Sequence, residues 1–518
     1  MTPVESSDSA PVVTTVLAAE AAGDWDQILV VLDHNWADLM RTDVDWLAGL
    51  LGRMPETVMV KNPRWALSIR YIERLQGGGS SRTLRVSTNV PLGEGAGLVD
   101  RLADLTSRAA QRRSVGNFAA AVALVDEART LVELESDDPA PADAMALSEL
   151  YHQWGRLREL ASDVFGAAGD YRTSYDFARA TGNVRAEYGS AAGLAWIYAL
   201  VGSRGESQIW LDSLPSDGQG EWWVSRPALP AQLARALLLV DEFKLPEAIA
   251  VLEKVDLSAS PDSWSGYYYV RAKAVRRSQN AWSQLSDIDS RTGAMPAALV
   301  SGGLNGILIG IARAILFTAV GRPALAMEAV ERYSQPRGVE GLAAVCLATV
   351  QMMQGDRAAT FQIATAVLGS GVTIPRVISV AELLLAVSTD DVESARIAAD
   401  HAIEIAARER LLSGLANVPR EYLDPILGTR VGQLGEEAVE NILAVALSRP
   451  LLSALESLTT RERAVAAAAA NGASIAEIAE QLFVSPNTVK SQLRGVYRKL
   501  GLSSREDLAR EGRRYGFR

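Results

Sequence analysis

Apolar residues recur at spacings of three and four along most of this 518-residue chain. From about residue 98 to residue 448, Ala and Leu follow this spacing without an alternating strand pattern. Such spacing places apolar side chains on one face of an α-helix. Short clusters of Gly, Asp, Asn or Pro separate the helical stretches. The pattern therefore predicts an all-α protein.

The breaks between predicted helices recur at regular intervals. Seven turns mark them: Gly116-Asn117-Phe118, Gly169-Asp170-Tyr171, Gly202-Ser203-Arg204, Asp241-Glu242-Phe243, Gly321-Arg322-Pro323, Gly355-Asp356-Arg357 and Thr389-Asp390-Asp391. Intervals of 33, 34 and 34 residues occur among them. A period of about 34 residues built from two helices is typical of tetratricopeptide repeats. Because one pair cannot bury its apolar face alone, the repeats would stack into a tetratricopeptide-like solenoid with a concave binding surface. An irregular all-helical domain with chance spacing is the alternative.

The segment from residue 458 to residue 518 carries helix signals of its own. Thr460 and Ser474 are candidate N-cap residues for two short helices. Ser485 caps a third helix, with Pro486 at its first position, where a missing N–H costs nothing. Two short helices joined by a tight turn form a helix-turn-helix.

The predicted third helix has two chemically different faces. Its inward stripe consists of Val489, Leu493, Val496 and Leu500. Its outward face carries Asn487, Lys490, Ser491, Arg494 and Arg498. These side chains are donors that reach base edges and phosphates in a major groove. A merely solvated charged face is the alternative interpretation of Lys490 and Arg494.

Charge separates this segment from the rest of the chain. From Leu458 onward there are 11 Lys and Arg against 6 Asp and Glu, a net charge of about +5. Because the whole chain carries −11, the remaining residues carry about −16. Only the C-terminal segment therefore suits a polyanion such as DNA.

Three stretches of this segment resemble the LuxR-type DNA-binding domain: LTTRE at 458–462, NGASIAEIAEQLFVSPNTVK at 471–490 and YRKLGLSSR at 497–505. The resemblance implies base-edge contacts by Lys490, Ser491 and Arg494. It implies phosphate contacts by Ser485, Asn487, Thr488, Arg498 and Lys499. The fourth helix, from Ser504 to about Gly512, would be the dimer contact on DNA. Two departures are an alanine run at 466–470 and Gln492, where the family often has His.

Residues 23–75 and 399–427 resemble the helical sensor region of the large MalT-like LuxR regulators. In that family an NTPase module with a P-loop precedes the sensor. This sequence has no Gly-Lys dipeptide and therefore no G-x-x-x-x-G-K-[ST] loop. The resemblance thus implies a sensor and DNA reader without the nucleotide switch. It also implies an effector on the solenoid, a small molecule or a protein, and contact with RNA polymerase.

The sequence offers no pattern typical of a catalytic or metal site. His34, His152 and His401 are far apart and have no metal-like neighbour at helical spacing. One cysteine, Cys346, cannot form an intrachain disulfide and indicates a reducing compartment. No run of 18 uncharged apolar residues and no cationic leader are present. We therefore expect a cytoplasmic protein that is not an enzyme, holds no cofactor and does not enter membranes.

These observations predict a DNA-binding transcription regulator in which the helical sensor controls the helix-turn-helix, and the family resemblance favours an activator. The predicted partners are double-stranded promoter DNA, RNA polymerase, the effector and a second copy of the chain on DNA. A helical-repeat scaffold that binds protein partners is the alternative. The predicted segments are a disordered tail (1–10), an N-terminal helical-repeat segment (11–76), a mobile linker (77–97), the sensor solenoid (98–448), a short linker (449–457) and the LuxR-type domain (458–518).

Overall fold

A computed structural model describes residues 10–62, 65, 97–135, 141–214, 228–257, 263–275, 280–446, 458–500, 502 and 504–515. Every regular element in these ranges is a helix, which confirms the all-α prediction for the described part of the chain. The predicted tail and both predicted linkers lie outside these ranges, apart from Ala10 and Gly97. No described helix combines the length and the apolar character that crossing a membrane requires.

The chain divides into two compact units, and the first contains residues 1–197, 208–231 and 256–263. Its helices are α1 Ala10–Ala22, α2 Trp25–Thr42, α3 Val44–Leu51, α4 Glu56–Lys61, α5 Leu98–Ser114, α6 Phe118–Glu135, α7 Pro141–Leu160, α8 Val164–Thr181 and most of α9 Val184–Val201. Helices α10 Arg204–Asp212 and α11 Ala228–Asp241 contribute residues to both units. The pairs α5 with α6 and α7 with α8 pack extensively, as short connections favour.

One predicted turn in the first unit is wrong. Gly169-Asp170-Tyr171 lies inside α8, and the actual connection precedes it at 161–163. Asp170 is fully buried and accepts hydrogen bonds from Arg129 Nη1 and Arg158 Nε, both at 3.0 Å. The sequence pattern predicts Asp170 as a turn residue, but in the structure it is buried. Its burial is possible because two arginines compensate its charge. The 33-residue interval that depended on this turn is lost.

The second unit holds residues 198–207, 232–255 and 264–518. Beyond the shared helices it contains α12 Leu245–Leu252, α13 Trp264–Val275, α14 Ala281–Gly293, α15 Ala297–Ser301, α16 Gly303–Ala319, α17 Pro323–Glu331, a 3-10 turn Gly338–Glu340, α18 Gly341–Gln354, α19 Arg357–Gly369, α20 Pro375–Ser388, α21 Val392–Glu409, α22 Leu412–Leu415, α23 Arg420–Gly428, α24 Val431–Leu434 and α25 Glu436–Val445. Four helices follow: α26 Thr460–Ala470, α27 Ile475–Gln481, α28 Pro486–Leu500 and α29 Arg505–Tyr515.

Helices α16 to α21 form a continuous run of packed neighbours. Each packs on the next, and α16 with α18 and α18 with α20 also pack across one intervening helix. The other six predicted turns coincide with connections between helices, including those at 321, 355 and 389. Such connections follow from local Gly and Asp signals; for example, Asp356 caps α19 by accepting from the backbone N–H of Ala359 at 2.9 Å. The tetratricopeptide-like arrangement itself stays a prediction.

A buried ion pair links distant parts of the second unit. Arg376, at the start of α20, donates to both carboxylate oxygens of Asp241 at 2.8 and 2.6 Å. It also donates to the carbonyls of Leu200 at 2.9 Å and Ala199 at 2.7 Å. Ser413 adds a hydrogen bond to the same carboxylate at 2.7 Å. The carboxylate is therefore well satisfied although Asp241 is only 1 % exposed.

Candidate nucleic-acid interface

Helices α26 and α27 begin with the same reciprocal capping arrangement. The N–H of Glu462 donates to Thr459 Oγ1 at 3.2 Å, and the N–H of Thr459 donates to Glu462 Oε2 at 2.8 Å. Ser474 and Glu477 repeat this pattern at 3.2 and 2.6 Å. Each box satisfies two N–H groups that a helix start otherwise leaves unpaired. The Ser474 cap is confirmed, whereas the first cap is Thr459 rather than the predicted Thr460.

A tight turn connects α27 to α28. Phe483 has a positive φ of 55°, and its side chain is 96 % exposed. Ser485 then caps α28, because its Oγ accepts from the N–H of Thr488 at 3.1 Å and lies 2.8 Å from Thr488 Oγ1. Two residues predicted to contact phosphate therefore fix the start of α28.

The apolar stripe of α28 is buried as predicted. Its members are Val489, Leu493, Val496 and Leu500, none more than 6 % exposed. They share one core with Val465 of α26, Ile478 of α27 and Leu508 of α29. The alanine run of α26 contributes to the same core, with Ala466 and Ala469 at most 1 % exposed. This packing fixes which face of α28 points outward.

The outward face of α28 is polar and cationic. Within α28, five predicted contact residues are exposed: Asn487, Lys490, Ser491, Arg494 and Arg498. The predicted phosphate contacts Thr488 and Lys499 are partly exposed. A single rigid helix therefore brings Lys490, Ser491 and Arg494 together on one accessible surface. Their individual roles stay predictions.

Helix α29 completes the four-helix domain and packs on α26. Ser504 starts it as predicted, since its Oγ accepts from the N–H of Asp507 at 3.0 Å. Arg505 donates to the carbonyl of Ala473, which ties α29 to the connection between α26 and α27. The helix extends to Tyr515, three residues past the predicted end.

Lys499 has a protein partner that the sequence does not suggest. Its Nζ donates to Glu462 Oε2 at 2.7 Å, although the two residues are 37 positions apart. The Lys499 hydrogen bond, followed by the Thr459 backbone N–H, lowers the pKa of Glu462 to about 2. Glu462 thus closes the first capping box and also joins α26 to the end of α28.

Replacing Glu462 with Gln keeps an acceptor for the capping box but removes the charge that binds Lys499. At neutral pH we expect α26 to lose about 0.2–1 kcal/mol of local stability. Because the folded-state pKa lies below the ordinary value, this contribution is present above about pH 4.5 and disappears as the pH falls toward 2. Hydrogen exchange of the α26 amides, corrected for intrinsic rates, would measure it. Glu480→Gln, on the exposed surface of α27, is the control; an equal loss in both variants would contradict the assignment.

Comparison with known proteins identifies the domain that these four helices form. Residues 456–511 match the sequence model of the family described as "GerE: Bacterial regulatory proteins, luxR family". The C-terminal domain is a LuxR-type helix-turn-helix domain. In a helix-turn-helix fold α28 occupies the position of the second helix, and its exposed face carries Lys490 and Arg494.

Two curated relatives are similar to this LuxR-type domain. A Mycobacterium bovis protein, named as an HTH-type transcriptional regulator, is 50 % identical over 60 residues, which cover 12 % of this chain and 7 % of the relative. SgaR of Hyphomicrobium methylovorum, named as a transcriptional regulatory protein, is 43 % identical over 76 residues, which cover 13 % of this chain and 36 % of the relative. This chain therefore spans only a minor part of the length of these relatives. No solved structure matches the chain.

Proposed function

We propose that this protein is a DNA-binding transcription regulator. One observation carries the proposal: the packing of α28 buries its apolar stripe and leaves a donor-rich face exposed on a LuxR-type domain. In this proposal Lys490, Ser491 and Arg494 read base edges in the major groove. The relatives that match this domain in sequence are themselves named as transcriptional regulators.

The proposed phosphate contacts surround that central face. They are Ser485, Asn487, Thr488, Arg498 and Lys499. Ser485 and Thr488 lie at the N-terminus of α28, where the helix dipole favours an anion. Lys499 would exchange its hydrogen bond with Glu462 for a phosphate oxygen, or share its donors between the two. The contacts position the helix, whereas sequence preference comes from the base edges.

The LuxR-type domain acts as part of a homodimer on DNA in this proposal, with α29 as the contact between copies. Two recognition helices would then meet half-sites about one helical turn apart. Activation of transcription by contact with RNA polymerase completes the proposal. It involves no catalysis and no cofactor, and it places the protein in the cytoplasm with bacterial DNA.

We assign the sensor role to the helices that precede the LuxR-type domain. The continuous packing of α16 to α21 supports a tetratricopeptide-like solenoid, as does the 34-residue interval between its turns at 321, 355 and 389. Met353 of α18 belongs to the same buried apolar cluster as Val465 and Leu508 of the LuxR-type domain. An effector that binds one arrangement of these helices more tightly would thereby change the fraction of molecules whose LuxR-type domain can bind DNA.

A selection from genomic DNA fragments tests the proposal. The full-length protein should enrich a small set of fragments and give a footprint with two related half-sites. Its affinity should fall linearly on a log–log plot against salt concentration, because phosphate contacts release counterions. Stable capture of one protein partner, with no fragment enriched over random DNA, would instead favour the scaffold function.

A further inference from the structure

A largely apolar cavity lies within the second unit. Including the part open to solvent, it encloses about 970 Å³. Helices α13, α16, α18 and α20 form its walls, with Ile311, Val345 and Val380 among the aliphatic side chains. Concave, mostly apolar spaces of this kind are where proteins bind small molecules.

The aliphatic hydroxyl groups of the cavity wall already donate to backbone carbonyls. Thr318 Oγ1 and Thr349 Oγ1 each donate to the carbonyl four residues earlier, both at 2.8 Å. Ser379 Oγ donates to the carbonyl of Ala402 at 3.1 Å. A hydroxyl group has one O–H donor. An anionic ligand could therefore gain a hydrogen bond from these side chains only by breaking one inside the protein.

The cationic side chains among the described residues of the wall, Arg376 and Lys273, are engaged by the protein itself. Arg376 donates four hydrogen bonds, two to the carboxylate of Asp241 and two to backbone carbonyls near the end of α9. Lys273 Nζ lies 3.8 Å from Asp241 Oδ1 and 5.7 Å from the centre of the Tyr269 ring. Neither cation therefore requires a ligand as its counter-ion.

The phenol and the thiol of the wall carry no charge. Burial raises the pKa of Tyr269 and of Cys346 to about 12, so both side chains are protonated at physiological pH. No Asp or Glu lies among the described residues that line the cavity. A charged ligand of either sign would thus enter an apolar space without a counter-charge of its own, which costs free energy.

We infer that this cavity binds a neutral, largely apolar small molecule. Its body packs against Ile311, Val345 and Val380, and the burial of apolar surface supplies the affinity. Such a molecule enters without disturbing the hydrogen bonds of Arg376 or of the wall hydroxyls. Carboxylates and amines with the same apolar body are disfavoured, because their charge must leave water without compensation.

This inference deepens the proposed function, since its regulatory meaning rests on that function. Met353 lines the cavity and also belongs to the apolar cluster of the LuxR-type domain. A ligand that packs against Met353 therefore acts on a side chain shared with the core of the DNA-binding domain. The effector would thus be an uncharged hydrophobic molecule.

Calorimetric titration of the full-length protein with octanol, octanoate and octylammonium tests the inference. The three probes share an eight-carbon chain and differ in charge at neutral pH. We expect saturable binding of one octanol per protein, roughly tenfold or more tighter than either ion. Octanol that fails to saturate a site, or an ion that binds as tightly as octanol, would overturn the inference without any variant.

Ala319→Phe adds a phenyl ring to the cavity wall at the end of α16 and should lower octanol affinity by about tenfold or more, because the ring occupies the space. Ala395→Phe is the matched control. Ala395 is likewise a partly exposed helical alanine of the same unit but does not line the cavity, so octanol should bind this variant as it binds the unaltered protein. Undiminished octanol binding by a folded Ala319→Phe protein would mean that octanol binds elsewhere, against the inference. Because the titration contains no DNA, its failure is distinguishable from failure of the proposed DNA binding.

Discussion

Replacing Lys490 and Arg494 together with alanine is expected to lower affinity for the selected DNA site by at least about 30-fold. A good bidentate contact to a base contributes roughly 1–3 kcal/mol of discrimination, and two such contacts are lost. Both side chains are exposed, and neither belongs to the buried core of the LuxR-type domain. The loss should therefore appear in DNA binding, measured by fluorescence anisotropy, with an unchanged unfolding midpoint.

Two further variants separate base contacts from general charge. Arg461→Ala removes an exposed cation from α26 and should leave specific affinity nearly unchanged. Arg498→Ala, at a proposed phosphate contact, should weaken binding to all sequences alike and reduce the salt slope by about 1. If the Lys490 and Arg494 double variant binds its site as tightly as the unaltered protein, α28 is not the recognition helix.

Replacing Asp241 with Asn should destabilise the second unit by about 3–5 kcal/mol. The change removes the charge partner of Arg376 while Arg376 itself stays buried, at only 5 % exposed. The hydrogen bonds of Arg376 to the Ala199 and Leu200 carbonyls hold it in place, so it cannot turn to water without breaking them. Urea denaturation followed by circular dichroism would report the loss as an earlier transition.

An exposed ion pair provides the comparison. Glu393 and Arg396 are bonded at 2.6 Å but are 65 % and 57 % exposed, so Glu393→Gln should change the unfolding midpoint far less than Asp241→Asn does. Comparable effects of Asp241→Asn and Glu393→Gln would show that burial does not set the energetics of this pair.

Most of the LuxR-type domain could be predicted from the sequence, because its signals are local. Ser474 and Ser485 cap helices through N–H groups only three residues away. The stripe from Val489 to Leu500 repeats within one helix, so its period alone determines which side is buried. The exposed position of Lys490 and Arg494 then follows from the same helix. Even here the first cap was displaced by one residue, since Thr459 and Thr460 are equally good candidates in sequence.

The sequence by itself therefore determined the helical class, most of the connections between helices, and the buried and exposed faces of α28. Only the tertiary structure decided the contacts between distant positions. Asp170 and Asp241 both read as turn residues, yet each is a buried ion-pair partner, Asp241 of an arginine 135 positions away. Lys499 and Glu462 likewise meet across 37 positions. Helical periodicity records which side of a helix is apolar, but the partner of a buried charge depends on how separate helices pack. Helices α13, α16, α18 and α20 line a largely apolar cavity for the same reason, since only folding brings these separate helices together.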